Sequence, residues 1–240
     1  MKVLHIQSVI RVIGYLLLVE AFFMLIATLV SIGYQENFWP LLFSMIITSV
    51  SGGLCIVCCP EKKPMGKREG YLIVATIWVV FSLFGLIPYY IGNYIPSFTD
   101  AFFETVSGFT TTGASILRDV EAMDNGMLFW RSFTHWVGGM GVLVFIMAFL
   151  PLSGARNMHI MKAESPGPTV GKLVPKVRTT AKILYVIYFI MTVLQFILLL
   201  CDGSLSVYEA LNAAFSTAGT GGFFIKADSL ASTTPYVQVV

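Results

Sequence analysis

The feature that most limits what this chain can fold into is a series of long apolar runs with almost no charge. Five of them reach the roughly 20 residues needed to cross a bilayer core. They cover residues 12–32, 38–59, 71–91, 132–152 and 183–201. Glu20 is the only charged residue in the first, and the other four contain no Asp, Glu, Lys or Arg. Composition agrees. Hydrophobic residues make up 56% of the 240 and charged residues 12%, against roughly 25% charge in a soluble domain. Such a chain cannot cover a water-facing surface. The expected fold class is therefore an all-α polytopic membrane protein. Soluble enzymes and nucleic-acid-binding proteins are excluded, and the lipid bilayer is the first partner.

The connections set the orientation. Twelve of the fifteen basic residues fall within residues 2–11, 62–68 and 156–182. The positive-inside rule places the N-terminus and these segments in the cytoplasm, and the connections after the first, third and fifth runs outside. Glu20 and the lack of a small-residue cleavage pattern argue against a cleavable leader. Cys55, Cys58 and Cys59 have the spacing of half a zinc site, but no second Cys or His cluster accompanies them. Membrane packing is the expected role.

Two of the external segments do not read as ordinary loops. In the first, residues 99–107 carry the apolar pattern of a short helix, with Asp100 and Glu104 placed near its favourable start. Ten residues rise only about 15 Å, half the hydrocarbon core, so this helix can enter the membrane without crossing it. A Thr/Gly stretch follows: Thr110, Thr111, Thr112, Gly113. The second external segment repeats the layout, with a helical pattern over 207–215 and then Gly219, Thr220, Gly221, Gly222. A shift of about 109 residues pairs Ser97 with Ser206, Ala101 with Ala210 and Ser107 with Ser216. It also pairs Thr111 with Thr220, Gly113 with Gly222 and Ile116 with Ile225. Non-helical backbone at membrane depth must be buried in protein or line an aqueous cavity. A half-helix followed by a Thr/Gly strand is the layout of an ion-selectivity loop, in which carbonyls replace the water around an ion. Threonine hydroxyls can add oxygens, and Gly113 admits backbone angles that turn carbonyls to one side. The fold expectation is thus repeated helix–pore loop–helix units.

Other residues read as structural. Arg131 and His135 are four apart, on one face of a helix whose mouth Arg131 marks. Arg131 is expected to pair with Glu104 or a backbone carbonyl, with electrostatic tuning of the outer pore as the functional alternative. Gly138, Gly139 and Gly141 read as a close-packing face. Glu20 is expected to be satisfied by a neighbouring helix. The basic loop 153–182, with Pro166, Pro168 and Pro175, fits topogenic charge and headgroup contact, or the docking of a cytosolic partner. No nucleophile-elbow or paired metal motif accompanies Ser107, Ser115 and His135, so no enzyme is expected.

Three stretches resemble the TrkH/KtrB-type bacterial potassium-uptake proteins. Residues 99–115 (TDAFFETVSGFTTTGAS) are similar to the family's first pore loop, and residues 135–141 (HWVGGMG) to the start of the helix after it. Residues 208–223 (YEALNAAFSTAGTGGF) are similar to its second pore loop. The resemblance implies a potassium-channel-like pore of four repeats. Two leading helices would occupy 1–60, a first repeat 61–152, a basic cytoplasmic loop 153–182 and an incomplete second repeat 183–240. It implies potassium uptake through a filter containing Thr110, Thr111, Thr112 and Gly113 with Gly219, Thr220, Gly221 and Gly222. Potassium would be held at Thr111, Thr112, Thr220 and Gly221. A homodimer, a cytosolic TrkA-like nucleotide-binding regulatory subunit and a bacterial inner-membrane location are implied as well. The missing later repeats mark the chain as a truncated part of the pore. A secondary transporter with a broken-helix substrate site and a sodium-coupled potassium symporter stay open as alternatives. The absence of charge in the filter strands weighs against proton coupling.

Overall fold

The computed structural model describes residues 5–59, 67–141, 177–231 and 233–239, and all of their regular structure is helical. In chain order the helices are α1 (Ile6–Gly33), α2 (Trp39–Cys58), α3 (Lys67–Gly85) and α4 (Ile87–Ile91). Then come α5 (Phe98–Phe109), α6 (Asn125–Gly139), α7 (Val177–Cys201), α8 (Val207–Ala218) and α9 (Pro235–Val239). Among the described residues, Ile6–Gly33, Trp39–Cys58, Arg68–Ile91 and Lys182–Cys201 are long and apolar enough to cross a membrane.

The central post is α1, which packs against α2, α3 and α6. Half of its most apolar window (50%) is buried in protein, whereas 11% is buried in α7. An apolar side chain gains nothing by leaving lipid for protein, so close approach decides helix pairing here. Gly14 and Gly52 face each other where α1 crosses α2: a Cβ on Gly14 would lie 2.8 Å from the Gly52 carbonyl oxygen. Four hydroxyl side chains inside these helices are satisfied within their own helix. Thr28, Ser44, Thr48 and Ser82 each donate to the carbonyl four residues back.

The third apolar run is one helix by sequence and two in the structure. Pro88 has no N–H to continue the ladder and its ring crowds the preceding turn, so α3 ends at Gly85 and α4 is a short continuation. The break frees a carbonyl, and the Trp130 indole N–H takes that of Gly85 at 3.1 Å.

The fourth run also differs from its expected bounds. Its helix starts at Asn125, seven residues before 132, and Arg131 is therefore a buried residue of the second turn and not a marker of the helix mouth. The later part of that run, and the basic loop as far as residue 176, lie outside the described residues.

One prediction follows from the glycine crossing. Gly14→Val would drive a side chain into Gly52, Cys55 and Ile56. The expected loss is about 1–3 kcal/mol, read as a lower midpoint of thermal unfolding in detergent. An unchanged midpoint would show that the crossing can open without loss.

Candidate functional site

The two Thr/Gly segments are built alike, atom for atom along the backbone. Each half-helix begins at the serine that the shift pairs. Ser97 accepts from the Asp100 N–H at the start of α5. Ser206 forms a reciprocal box with Glu209 at the start of α8, giving its N–H to Oε2 at 2.8 Å and accepting from the Glu209 N–H at 3.2 Å. The helices then run past their expected ends at 107 and 215, to Phe109 and Ala218. They close with the same three hydrogen bonds. Thr110, Thr111 and Thr112 donate to the carbonyls of Val106, Gly108 and Ser107, and Gly219, Thr220 and Gly221 donate to those of Phe215, Thr217 and Ser216.

Backbone angles repeat as well. Thr111 and Thr220 have φ of 54° and 56°, and Gly113 and Gly222 have 77° and 85°. The left-handed region is natural for glycine but costs a β-branched residue roughly 1–2 kcal/mol. That cost is accepted twice at matching positions. Among the described residues no hydrogen bond ends on a carbonyl of 110–113 or 219–222. The strands lie side by side, since a Cβ on Gly113 would collide with the Gly221 carbonyl oxygen. The Thr110 hydroxyl donates to the Val106 carbonyl at 2.7 Å and sits 2.8 Å from that of Thr112.

Helix α6 is the wall behind both strands. A Cβ on Gly138 would strike the Phe109 carbonyl, and one on Gly139 would come 2.8 Å from the Gly219 Cα. The close-packing reading of Gly138 and Gly139 therefore holds, and the surface they approach is the pore-loop backbone.

Glu104 and Arg131 join the strand exits. Arg131 Nε lies 2.7 Å from Glu104 Oε1, with both side chains buried. Arg131 also donates through Nη1 to the Phe224 carbonyl at 3.0 Å, and its guanidinium sits 3.5 Å from the centre of the Phe223 ring. On the other strand, Glu104 accepts from the Ile116 N–H at 2.9 Å and from the Ser115 hydroxyl. Arg131 thus takes both partners that the sequence offered as alternatives. Glu104 is the seventh residue of α5 and not part of its first turn, so its role is this network and not the helix dipole.

His135 stacks on Phe223 with centroids 4.0 Å apart. Sequence reasoning did not single out Phe223 or Phe224, because an aromatic pair after a glycine run carries no periodic signal. Loop two is closed at the surface by Lys226 Nζ and Glu209 Oε1 at 2.8 Å. Burial pushes the Glu209 carboxyl up, but Lys226 and Ser206 outweigh it and hold the group below its ordinary value.

Two further features surround the loops. Glu36, in the turn between α1 and α2, accepts from the Asn125 amide at 2.7 Å and the Gly126 N–H at 3.2 Å, capping α6 from outside. The N-cap Asp124 is instead engaged by the Tyr94 hydroxyl. Glu20 corrects an expectation. It is fully buried against α3 near Gly85, yet neither carboxyl oxygen finds a hydrogen-bond partner among the described residues. Helix α3 brings the backbone of Gly85 to that level, with no hydrogen bond to the carboxyl among the described residues.

Two predictions come from these contacts. Arg131→Met leaves the Glu104 charge buried without a cation, at an expected cost of about 3–5 kcal/mol. Adding Glu104→Gln recovers part of it, because the amide keeps acceptors for Ser115 and Ile116 without the charge. Thermal unfolding of the purified variants checks the order. The lowered Glu209 value means that its stabilisation is present at neutral pH and lost as pH falls through the carboxylate range. Between about pH 6 and pH 3, amide protection at the start of α8, measured relative to the intrinsic exchange rate at each pH, should fall more in the parent than in Glu209→Gln.

The family model described as TrkH, cation transport protein, matches residues 38–240. The Trk system potassium uptake protein TrkH of Vibrio parahaemolyticus is 34% identical over 221 residues, covering 90% of this chain and 45% of that protein. TrkH of Escherichia coli K12 is 34% identical over 226 residues, with 92% and 46% covered, and TrkG of the same strain is 29% identical over 234. The crystal structure of the potassium transporter TrkH from Vibrio parahaemolyticus superposes with a TM-score of 0.80 at 28% identity, covering 98% of this chain and 48% of that one. The chain spans about half the length of the curated relatives it matches. Sequence, fold and pore-loop geometry together place the chain in the TrkH family of cation transport proteins.

Proposed function

We propose that the chain supplies two strands of the selectivity filter of a potassium-uptake pore. The observation that carries this reading is the repeated pair of left-handed residues at alternate positions, Thr111 and Gly113, then Thr220 and Gly222, on strands whose carbonyls meet no donor among the described residues. Alternating backbone handedness turns successive peptide groups toward one side, which makes a concave array of like dipoles. An array of carbonyl oxygens suits a dehydrated monovalent cation.

In this reading Thr110, Thr111, Thr112 and Gly113, with Gly219, Thr220, Gly221 and Gly222, line the ion path. Thr111, Thr112, Thr220 and Gly221 contact potassium. Residues 1–60 are a leading helix pair, 61–152 one repeat, 153–182 a basic cytoplasmic loop and 183–240 a second repeat. The leading pair braces the outer end of α6 through Glu36. The names of the relatives, potassium uptake proteins of the Trk system, support potassium as the cargo. Uptake needs no covalent step, since conduction follows the electrochemical gradient. A homodimer with a TrkA-like cytosolic regulator, in a bacterial inner membrane with the N-terminus inside, completes the proposal. The basic segments support that orientation.

The test is rubidium and potassium uptake in a bacterium stripped of its own potassium importers, with the complete reading frame. Gly113→Asp places a side chain on the Gly221 carbonyl at a left-handed φ, and is expected to abolish uptake or its selectivity. Unchanged flux and selectivity in well-expressed protein would sink the filter assignment.

A further inference from the structure

We infer that His135 is a positioning residue whose ring nitrogen aims the Gly222 carbonyl into the ion path, and so helps set which cation is accepted. The inference rests on the filter reading above. His135 is fully buried on α6, and strand two lies directly on it. A Cβ on Gly219 would come 2.5 Å from the His135 carbonyl oxygen, and one on Gly221 would overlap the imidazole. The glycines at 219 and 221 are therefore the space that lets the ring reach the strand.

What the ring does there follows from peptide geometry. The Phe223 N–H donates to His135 Nδ1 at 3.4 Å. The Ser216 hydroxyl donates to the Phe223 carbonyl and stands 3.5 Å from the same nitrogen. A trans peptide holds its N–H and the preceding C=O antiparallel in one plane. Anchoring the Phe223 N–H on His135 therefore turns the Gly222 C=O away from α6. Gly222 is itself exposed, and nothing lies within 4 Å of a Cβ placed on it. Glycine at φ 85° resists rotation of this plane less than any other residue would, so the orientation depends on an external hold. The stacked Phe223 ring, with Arg131 over it, keeps the imidazole in place. Loop one has no counterpart: Ala114 stands where Phe223 does in the register of the repeat, and its strand exit is fastened by Glu104 instead.

The acceptor, and not the bulk of the ring, is the operative feature, and this separates the proposal from simple packing. His135→Asn keeps an acceptor at the δ position, His135→Leu matches its shape without one, and His135→Phe keeps the flat ring without one. Each is made in the complete reading frame and compared as folded, detergent-purified protein in vesicles, by rubidium flux against sodium flux. Leu and Phe should lower the rubidium-to-sodium ratio about tenfold, the equivalent of one buried hydrogen bond, while Asn restores it. Phe with the parent ratio, or Asn falling as far as Leu, would overturn the proposal. Gly113→Asp run alongside separates the two readings. If it changes the ratio and His135→Phe does not, only the role of His135 fails. If neither changes it, the filter reading fails with it.

Discussion

The buried pair of Glu104 and Arg131 holds the arrangement together. Each loop leaves the membrane interior through a strand exit with unmet hydrogen-bonding groups, and the pair meets one from each side: the Ile116 N–H through the carboxylate and the Phe224 carbonyl through the guanidinium. Burying two charges carries a large desolvation cost, repaid only when the remaining donors and acceptors are also used. Here they are. Arginine suits the position because its planar fork serves a carboxylate, a carbonyl and an aromatic face at once. Lysine, with one compact charge, would have to choose among them.

Because Arg131, His135, Gly138 and Gly139 all belong to α6, one helix sets the height and spacing of both strands. Its N-terminal end is fixed in turn by Glu36 from the leading hairpin. The two loops share a backbone plan but not their fastenings. In loop one the carboxylate sits mid-helix and buried, at Glu104. In loop two it stands in the first turn and pairs at the surface, at Glu209. The repeated part is the part that would face an ion. The divergent part is what each loop must do to fit its own neighbours.

Much of this was legible in the residues. Apolar runs without charge have few alternatives to membrane helices, and the register that pairs Ser97 with Ser206 and Thr111 with Thr220 proved to pair helix caps and left-handed turns. Small residues matched by chance would not repeat φ angles. The start of α6 was not legible, because a charged residue ends any apolar window, and Arg131 is neutralised by a partner 27 residues earlier in the chain. The break at Pro88 was visible in principle, but an unbroken apolar run hid it. The bare environment of Glu20 depends on which face of α3 turns inward at Gly85, and a single residue does not announce that.

The ion pair also bears on how such a chain reaches its membrane. A lone arginine at mid-membrane opposes insertion by about 2.5–3.5 kcal/mol, and a lone carboxylate by a similar amount. Neither α5 nor the N-terminal half of α6 is a comfortable guest of the bilayer alone. During synthesis Glu104 emerges first and waits for Arg131, with residues 105–130 between them. The two segments would therefore enter as a folded-back unit, late relative to α1 and α2, and the already inserted hairpin would present Glu36 as the first docking point for the arriving helix.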